Sequence, residues 1–344
     1  MNSESRGINR RVLLRRRPAG LPVAEDFEIV DEPIRSLADG DVLRRTIYLS
    51  LDPYMRGRMS DEPSYAPPVA LGGVMVGRTV AEVVDSKHPS FRPGEFVAAN
   101  DGWQSHNVSN GRDLQKIDPA RAPISCALGV LGMPGLTAYV GLVDIGRPKA
   151  GETVVVSAAA GAVGSVVGQI ARIKGCRAVG VAGGAAKCEY VVKELGFDAC
   201  VDYKRSDLAA ALAAACPAGI DVYFDNVGGV VLKAVLPLIN QNARIPLCGT
   251  IADYNATSPP PGPNLRPLLI KRAMIKGFIV SDHADRVPAF LQDCAGWIRD
   301  GKLKYREDIV EGLDNAPAAF LKLFDGTNRG KLLVRVSPDP TRPA

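Results

Sequence analysis

The sequence predicts an α/β protein of two domains, a doubly wound parallel sheet beside a second, mainly β domain. Three observations point there. The 344 residues exceed what one hydrophobic core usually organises. Short strand-like runs broken by Gly and Pro fill the first part of the chain. After Gly129, apolar β-branched runs alternate with helical stretches.

In the first part, Asp41–Leu49 and Val74–Val84 read as strands, and Phe91-Arg92-Pro93-Gly94 turns into another strand at Glu95-Phe96-Val97. This spacing predicts an antiparallel, partly barrel-like domain. In the second part, strands at Thr153–Ser157, Ala178–Val181, Asp221–Asp225 and Ala243–Cys248 alternate with helices at Ala162–Lys174, Lys187–Leu195 and Val230–Ile239. Such βαβ units build a parallel sheet with its ligand crevice at the carboxyl ends of the strands. The tail, with a helix near Pro317–Asp325 and a strand Lys331–Val336, is expected to return to the first domain. The expected division is therefore 1–130 with 307–344, and 131–306, with cofactor and substrate meeting between them.

Composition narrows the function. Hydrophobic residues at 46% and charged residues at 23% are ordinary for a soluble globular protein. No apolar run reaches the ~18–20 residues that span a bilayer, so no membrane partner is expected. The net charge of +5 owes much to Arg10, Arg11, Arg15, Arg16 and Arg17. Glu25 and Asp26 follow them, and no secretory apolar core does, so a basic first strand with solvated arginines is expected, not a leader. No Lys/Arg stripe with interleaved aromatics is present, and no nucleic-acid partner is expected. Cys126, Cys176, Cys188, Cys200, Cys216, Cys248 and Cys294 are scattered, with no C-x-x-C pair, as in a cytoplasmic protein with reduced thiols. His88, His106 and His283 lie away from any cysteine, and no metal site is expected.

The chemistry concentrates at Ala159-Ala160-Gly161-Ala162-Val163-Gly164, which follows a strand and opens a helix. It matches the dinucleotide fingerprint G-x-G-x-x-G of the Rossmann fold with Ala159 in the first glycine's place. Gly161 lets backbone approach a pyrophosphate, and Gly164 lets helix and strand pack closely. The helix amino terminus presents N–H groups and a positive dipole end to the phosphates. The next strand ends in Ala182-Gly183-Gly184, without the carboxylate that accepts from a free ribose 2′-hydroxyl. That room, followed by the cation of Lys187, favours the 2′-phosphate of NADP.

These residues resemble the zinc-independent medium-chain dehydrogenase/reductase superfamily, in the branch of prostaglandin reductases, leukotriene dehydrogenases, alkenal reductases and curcumin reductases. The resemblance runs from Asn9–Leu13 through Ser50–Met59, Gly132–Tyr139, Asp225-Asn226-Val227-Gly228-Gly229 and Cys248–Asn255 to Asn328-Arg329-Gly330-Lys331. The Asp61–Pro68 insert and the loop at residues 259–263 look closest to the curcumin reductases. The resemblance implies a GroES-like, mainly β catalytic domain, a Rossmann domain, NADPH as cofactor and a homodimer. It implies a pyrophosphate loop at Gly161, Ala162, Val163 and Gly164, with Lys187 and Tyr203 on the 2′-phosphate and Asn226 on a ribose. It places Cys248, Gly249, Thr250 and Tyr254, and also Phe278, Ile279 and Val280, beside the nicotinamide. Asn328 becomes a contact from the returning tail.

The activity it implies is NADPH-dependent reduction of the carbon–carbon double bond of enones and enals, with hydride delivered to the β-carbon and negative charge developing on the carbonyl oxygen. Such a site needs a hydrogen-bond donor at that oxygen. Tyr254, just past a strand end, is the candidate: a phenol with pKa near ~10 stays protonated at neutral pH. A packing tyrosine with an incidental hydrogen bond, or a ribose hydroxyl of the cofactor in the donor's role, are the alternatives. Tyr54 is a candidate substrate contact, or else a buried strand-edge aromatic. An NADPH:quinone reductase and a non-catalytic NADPH-binding scaffold are the competing functions. No G-x-S-x-G elbow or H-E-x-x-H helix is present.

Overall fold

The computed structural model describes residues 7–205 and 207–342. The chain divides into two compact units. The first takes the chain up to Leu128, then Asp308–Asn328 and the chain from Leu332; the second takes Gly129–Glu307 and Arg329–Lys331.

In the first unit, β1 (Ile8–Leu14) and β2 (Phe27–Pro33) form an antiparallel hairpin with Ile8 opposite Pro33. β3 (Val42–Ser50) is the spine of a larger sheet. A short helix α1 (Met55–Arg58) follows it. β4 (Thr79–Ser86) pairs with β3, and β5 (Phe96–Ala99) with β4. β6 (His106–Ser109) pairs with Val42–Arg45 of β3, residues that β4 also pairs, so it lies along the edge of β3 away from β4; β7 (Gln115–Ile117) pairs with β5. The strand expected from Val74 starts only at Thr79. Val74 bridges Leu13, and the Met75 N–H donates to the Val12 carbonyl, so this stretch is tied to β1. The buried Trp103 stacks on Phe27 at 5.5 Å and meets Phe320 edge-on at 5.7 Å. The early arginines are not simply solvated. Arg10 bridges Asp31 and Asp314, and Arg11, Arg16 and Arg17 meet Glu32, Asp26 and Asp61.

The second unit opens with α2 (Met133–Tyr139), which runs on into a π-helical stretch over Val140–Gly146. Its sheet comprises β8 (Thr153–Ser157), β9 (Arg177–Ala182), β10 (Ala199–Asp202), β11 (Ile220–Phe224), β12 (Ile239–Leu247) and β13 (Met274–Gly277). All neighbours are parallel, in the order β10-β9-β8-β11-β12-β13. The order reverses between β8 and β11, which puts a crevice at their carboxyl ends. The helices are α3 (Gly164–Ile173), α4 (Ala185–Lys193), α5 (Leu208–Ala215), α6 (Gly229–Val235), α7 (Arg266–Lys271) and α8 (Val287–Arg299). The helix expected to reach Ile239 stops at Val235 because Pro237 turns the chain into a 3-10 turn, and β12 starts directly after it. β14 (Glu307–Glu311), α9 (Ala316–Asp325) and β15 (Lys331–Arg335) end the chain's regular structure, and β15 lies against β3.

Candidate functional site

The turn between β8 and α3 is built around a left-handed residue, Ala158 at φ 52. Its carbonyl accepts from the Gly161 N–H at 2.9 Å. Ala159 stands in the fingerprint's first glycine position, but the backbone irregularity falls one residue earlier. A Cβ on Gly164 would lie 2.3 Å from the Ala158 carbonyl oxygen, whereas one on Gly161 would lie 3.1 Å from it. Glycine is therefore obligatory at Gly164, where the helix crowds back on the turn. No side chain caps α3, and its leading N–H groups are the kind a pyrophosphate accepts from. Ala162 and Val163 are half-buried on this rim.

At the end of β9 the chain turns through Gly184 at φ 95 into α4, whose third residue is Lys187. Tyr203 comes to the same place from the end of β10. A Cβ on Gly183 would sit 2.9 Å from the Tyr203 ring, whose residue is 41% exposed. Lys187 and Tyr203 thus flank one glycine turn. An acid also reaches this turn, from β10 instead of β9. Asp202 Oδ1 accepts from the Gly184 N–H at 2.8 Å and the Lys204 N–H at 3.0 Å. The Gly184 N–H above all holds this carboxyl below its usual range. Its neighbourhood in sequence carried no signal for that role.

The Asp225–Gly229 string closes the end of β11. Asp225 is wholly buried, and its Oδ1 accepts from Ser157 Oγ (3.2 Å), the Tyr223 hydroxyl (2.8 Å), Val227 N (2.9 Å) and Gly228 N (2.8 Å). Asn226 clasps β8 to β11: its N–H donates to Ser157 Oγ and its Nδ2 to the Ser157 carbonyl, both at 2.8 Å. The Asp225 carbonyl accepts from Cys248 N at 2.8 Å and Gly249 N at 3.2 Å, carrying the same turn on to β12. Burial, reinforced by the Asp225 charge, pushes the Cys248 thiol up to about 12, so it stays protonated at neutral pH.

Beyond β12, Thr250 leads a short 3-10 turn, and Tyr254 follows it. The Tyr254 ring folds back so that a Cβ on Gly249 would meet its hydroxyl at 2.9 Å and the Asn226 carbonyl at 3.5 Å. Asn226, Gly249 and Tyr254 therefore converge at the carboxyl ends of β11 and β12. Phe278, after β13, packs edge-on to Phe224 at 6.3 Å and to His283 at 6.4 Å, and Ile279 and Val280 follow half-buried.

Two of the expected residues belong to the first unit. Tyr54 lies in the turn that opens α1, not at a strand edge, and packs against the core that holds Trp103. Burial, then the nearby Asp52, pushes its phenol above the ordinary range. Asn328 follows a turn in which Asp325 Oδ1 accepts from Thr327 N and Oγ1, both at 2.7 Å.

Among the described residues no three His, Cys, Asp or Glu side chains come together as a metal site would need, and no helix is long and apolar enough to cross a membrane. All seven cysteines are free thiols. For a dinucleotide the donor set fits: a glycine cradle that a Cβ would fill at Gly164, a helix amino terminus, and a cation with a phenol at the adjoining turn.

Comparison with known proteins agrees with that geometry. Residues 10–117 match a family model described as the N-terminal domain of oxidoreductase, and residues 162–295 one described as zinc-binding dehydrogenase. The chain is 53% identical to the NADPH-dependent curcumin reductase of Escherichia coli, over 96% of this chain and 98% of that one. It is 44% identical to prostaglandin reductase 1 of Bos taurus, over 94% and 97%. The structure of CurA in complex with NADPH from Vibrio vulnificus superposes with a TM-score of 0.92 at 51% identity, covering 96% of this chain and 100% of that one.

Proposed function

The chain belongs to the medium-chain dehydrogenase/reductase superfamily, in the branch of curcumin, prostaglandin and alkenal reductases, and on that premise we propose how its own residues serve the reduction. It is an NADPH-dependent oxidoreductase that saturates the carbon–carbon double bond of α,β-unsaturated ketones and aldehydes. NADPH supplies the hydride that reaches the substrate's β-carbon.

The protein's part is to bind, orient and receive charge. Gly161, Ala162, Val163 and Gly164 offer backbone N–H groups to the pyrophosphate, and Lys187 and Tyr203 take the 2′-phosphate. Asn226, held on Ser157, presents its remaining amide edge to a ribose. Cys248, Gly249, Thr250, Phe278, Ile279 and Val280 wall the nicotinamide, and Asn328 adds a contact from the tail. The Tyr254 hydroxyl donates to the carbonyl oxygen as the enolate forms, and Tyr54 contacts the substrate. The single observation that carries this assignment is the convergence of the Tyr254 hydroxyl on Gly249 and the Asn226 carbonyl, at the strand ends where the crevice must lie.

We propose that no zinc takes part, because the donor set for it is not assembled among the described residues. A cytoplasmic location is the reading that seven scattered cysteines without a C-x-x-C pair support; alkylation of denatured protein without reductant should count seven. The protein acts as a homodimer, with small enones or enals as substrates. β13, like β10, is an edge of the sheet, and Ile275 on it and Leu269 on α7 are exposed at 39% and 81%. An unblocked edge strand is a ready pairing surface.

NADPH oxidation against a panel of enones, enals and quinones, with and without a chelator, tests the function. Turnover of enones and enals indifferent to chelator is expected. A marked preference for quinones would favour the related quinone reductases, and binding of NADPH without turnover of any electrophile would favour a scaffold.

A further inference from the structure

Beside the phosphate loop lies a cavity of about 340 Å³. One wall runs along α4, from Lys187 in the first turn through Tyr190 to Glu194 just past the last. The other is made by Ala160, Arg306 and Arg329. Lys193 also borders it but is bound to Glu189 at 2.7 Å, one turn away on the same helix. Three further cations therefore line the cavity against one further carboxylate, that of Glu194.

Both arginines are anchored to the phosphate loop through a single glycine. The Gly330 N–H donates to the Ala160 carbonyl at 3.1 Å, and Gly330 bridges Gly161. Gly330 sits at φ 75, and a Cβ there would fall 2.2 Å from the Arg306 carbonyl oxygen, so only glycine permits this crossing. The same carbonyl accepts from the Lys331 N–H at 2.9 Å. Arg329 enters the crossing and Arg306 lies beneath it. The Arg306 guanidinium is then steadied over the Tyr190 ring at 5.7 Å. Tyr190 stands three residues after Lys187, on the same side of α4.

From this arrangement, and resting on the NADPH reading above, we infer that Arg306 and Arg329 complete with Lys187 the recognition of the cofactor's 2′-phosphate. A ribose phosphate carries about −1.5 to −2 charges at pH 7, more than one lysine neutralises. Arginine adds a planar fork that matches phosphate oxygens, where lysine is a point charge. Glu194, past the helix end, repels an anion from the far end of the cavity. The phosphate is thereby kept at the Lys187 end, next to the loop that holds the pyrophosphate.

Calorimetric binding of 2′,5′-adenosine bisphosphate and of 5′-AMP to the full-length protein separates the 2′-phosphate from catalysis. The wild type should prefer the bisphosphate. Arg306→Gln and Arg329→Gln should each weaken it about tenfold and flatten its salt dependence, with 5′-AMP binding unchanged and Arg306→Lys recovering part of the loss. Unchanged 5′-AMP affinity also shows that each variant is folded. A wild type that prefers the bisphosphate, with variants that bind it as well as wild type or lose both ligands equally, overturns this inference alone. A wild type that does not discriminate overturns the NADPH reading of the site, and this inference with it.

Discussion

Ala159, in the turn after β8, interlocks with Gly180 on β9: a Cβ on Gly180 would lie 2.7 Å from that of Ala159. Ala159 is fully buried where the dinucleotide fingerprint has its first glycine. The glycine missing from the turn is in effect displaced to β9. Gly180→Ala should cost about 1–3 kcal/mol by overpacking, since Val191 and Cys200 also close on that position, at 3.0 and 3.2 Å. Adding Ala159→Gly should recover part of the loss. Thermal unfolding of the two single variants and the double variant checks this, and strictly additive effects would show that the methyl groups do not compete.

That pairing also shows what was legible beforehand. The alternation of β8 to β13 with helices, and the need for glycine at Gly164, follow from local periodicity and from one strand–turn–helix string. Asp202, Arg306 and Arg329 could not be found that way. Asp202 meets Gly184 from another strand, and the two arginines reach the phosphate loop only through the bond of Gly330 to Ala160; isolated charges on strand ends and tails carry no periodic signal. The strand expected from Val74 starts later for a similar reason: Val74 and Met75 pair with β1, a partner distant in the chain, and only from Thr79 does the chain join β3.

Lys187→Ala should raise the KM for NADPH and leave that for NADH nearly untouched. A charge-assisted phosphate contact, discounted for partial exposure, gives about tenfold in kcat/KM, or ~1.4 kcal/mol. Tyr203 remains at the same turn, so the preference for NADPH should shrink without vanishing. Equal losses with both cofactors would make Lys187 a support of the fold.

Asp202 ties stability to pH in one direction. Its carboxyl is held below the ordinary value of 3.8 by the Gly184 N–H first. The stabilisation is therefore fully present above that value and is lost as the pH falls through the lower, folded one. Asp202→Asn should be less stable than wild type by a constant amount from about pH 5 to 8. The two melting curves should converge only in acid, below the carboxylate range. A gap that widens on acidification would mean that the charged form is not the one stabilised.

Ile275→Lys on β13 should convert a dimer into monomers, because it replaces the strand's exposed apolar side chain with a second charge beside Lys276, which opposes pairing of like edges. Light scattering coupled to gel filtration should then report half the wild-type mass. An unchanged mass in a folded variant would place the contact elsewhere.

The seat of the Tyr254 donor depends on the residue at position 249. The Tyr254 hydroxyl occupies space that any side chain at position 249 would claim, since a Cβ there would meet it at 2.9 Å. If the hydroxyl stabilises the developing enolate, Tyr254→Phe should lower kcat with an enone and leave NADPH affinity nearly intact. Loss of one oxyanion donor costs ~2.7–4 kcal/mol, and a ribose hydroxyl that shares the role would reduce this. Gly249→Ala should lower kcat as well, because its methyl pushes the phenol off its seat without removing it. The two changes act on one interaction, so the double variant should be hardly slower than Tyr254→Phe alone. Full additivity in kcat would mean that Gly249 serves the nicotinamide directly, and an unchanged kcat/KM in Tyr254→Phe across several enones would reduce the tyrosine to packing.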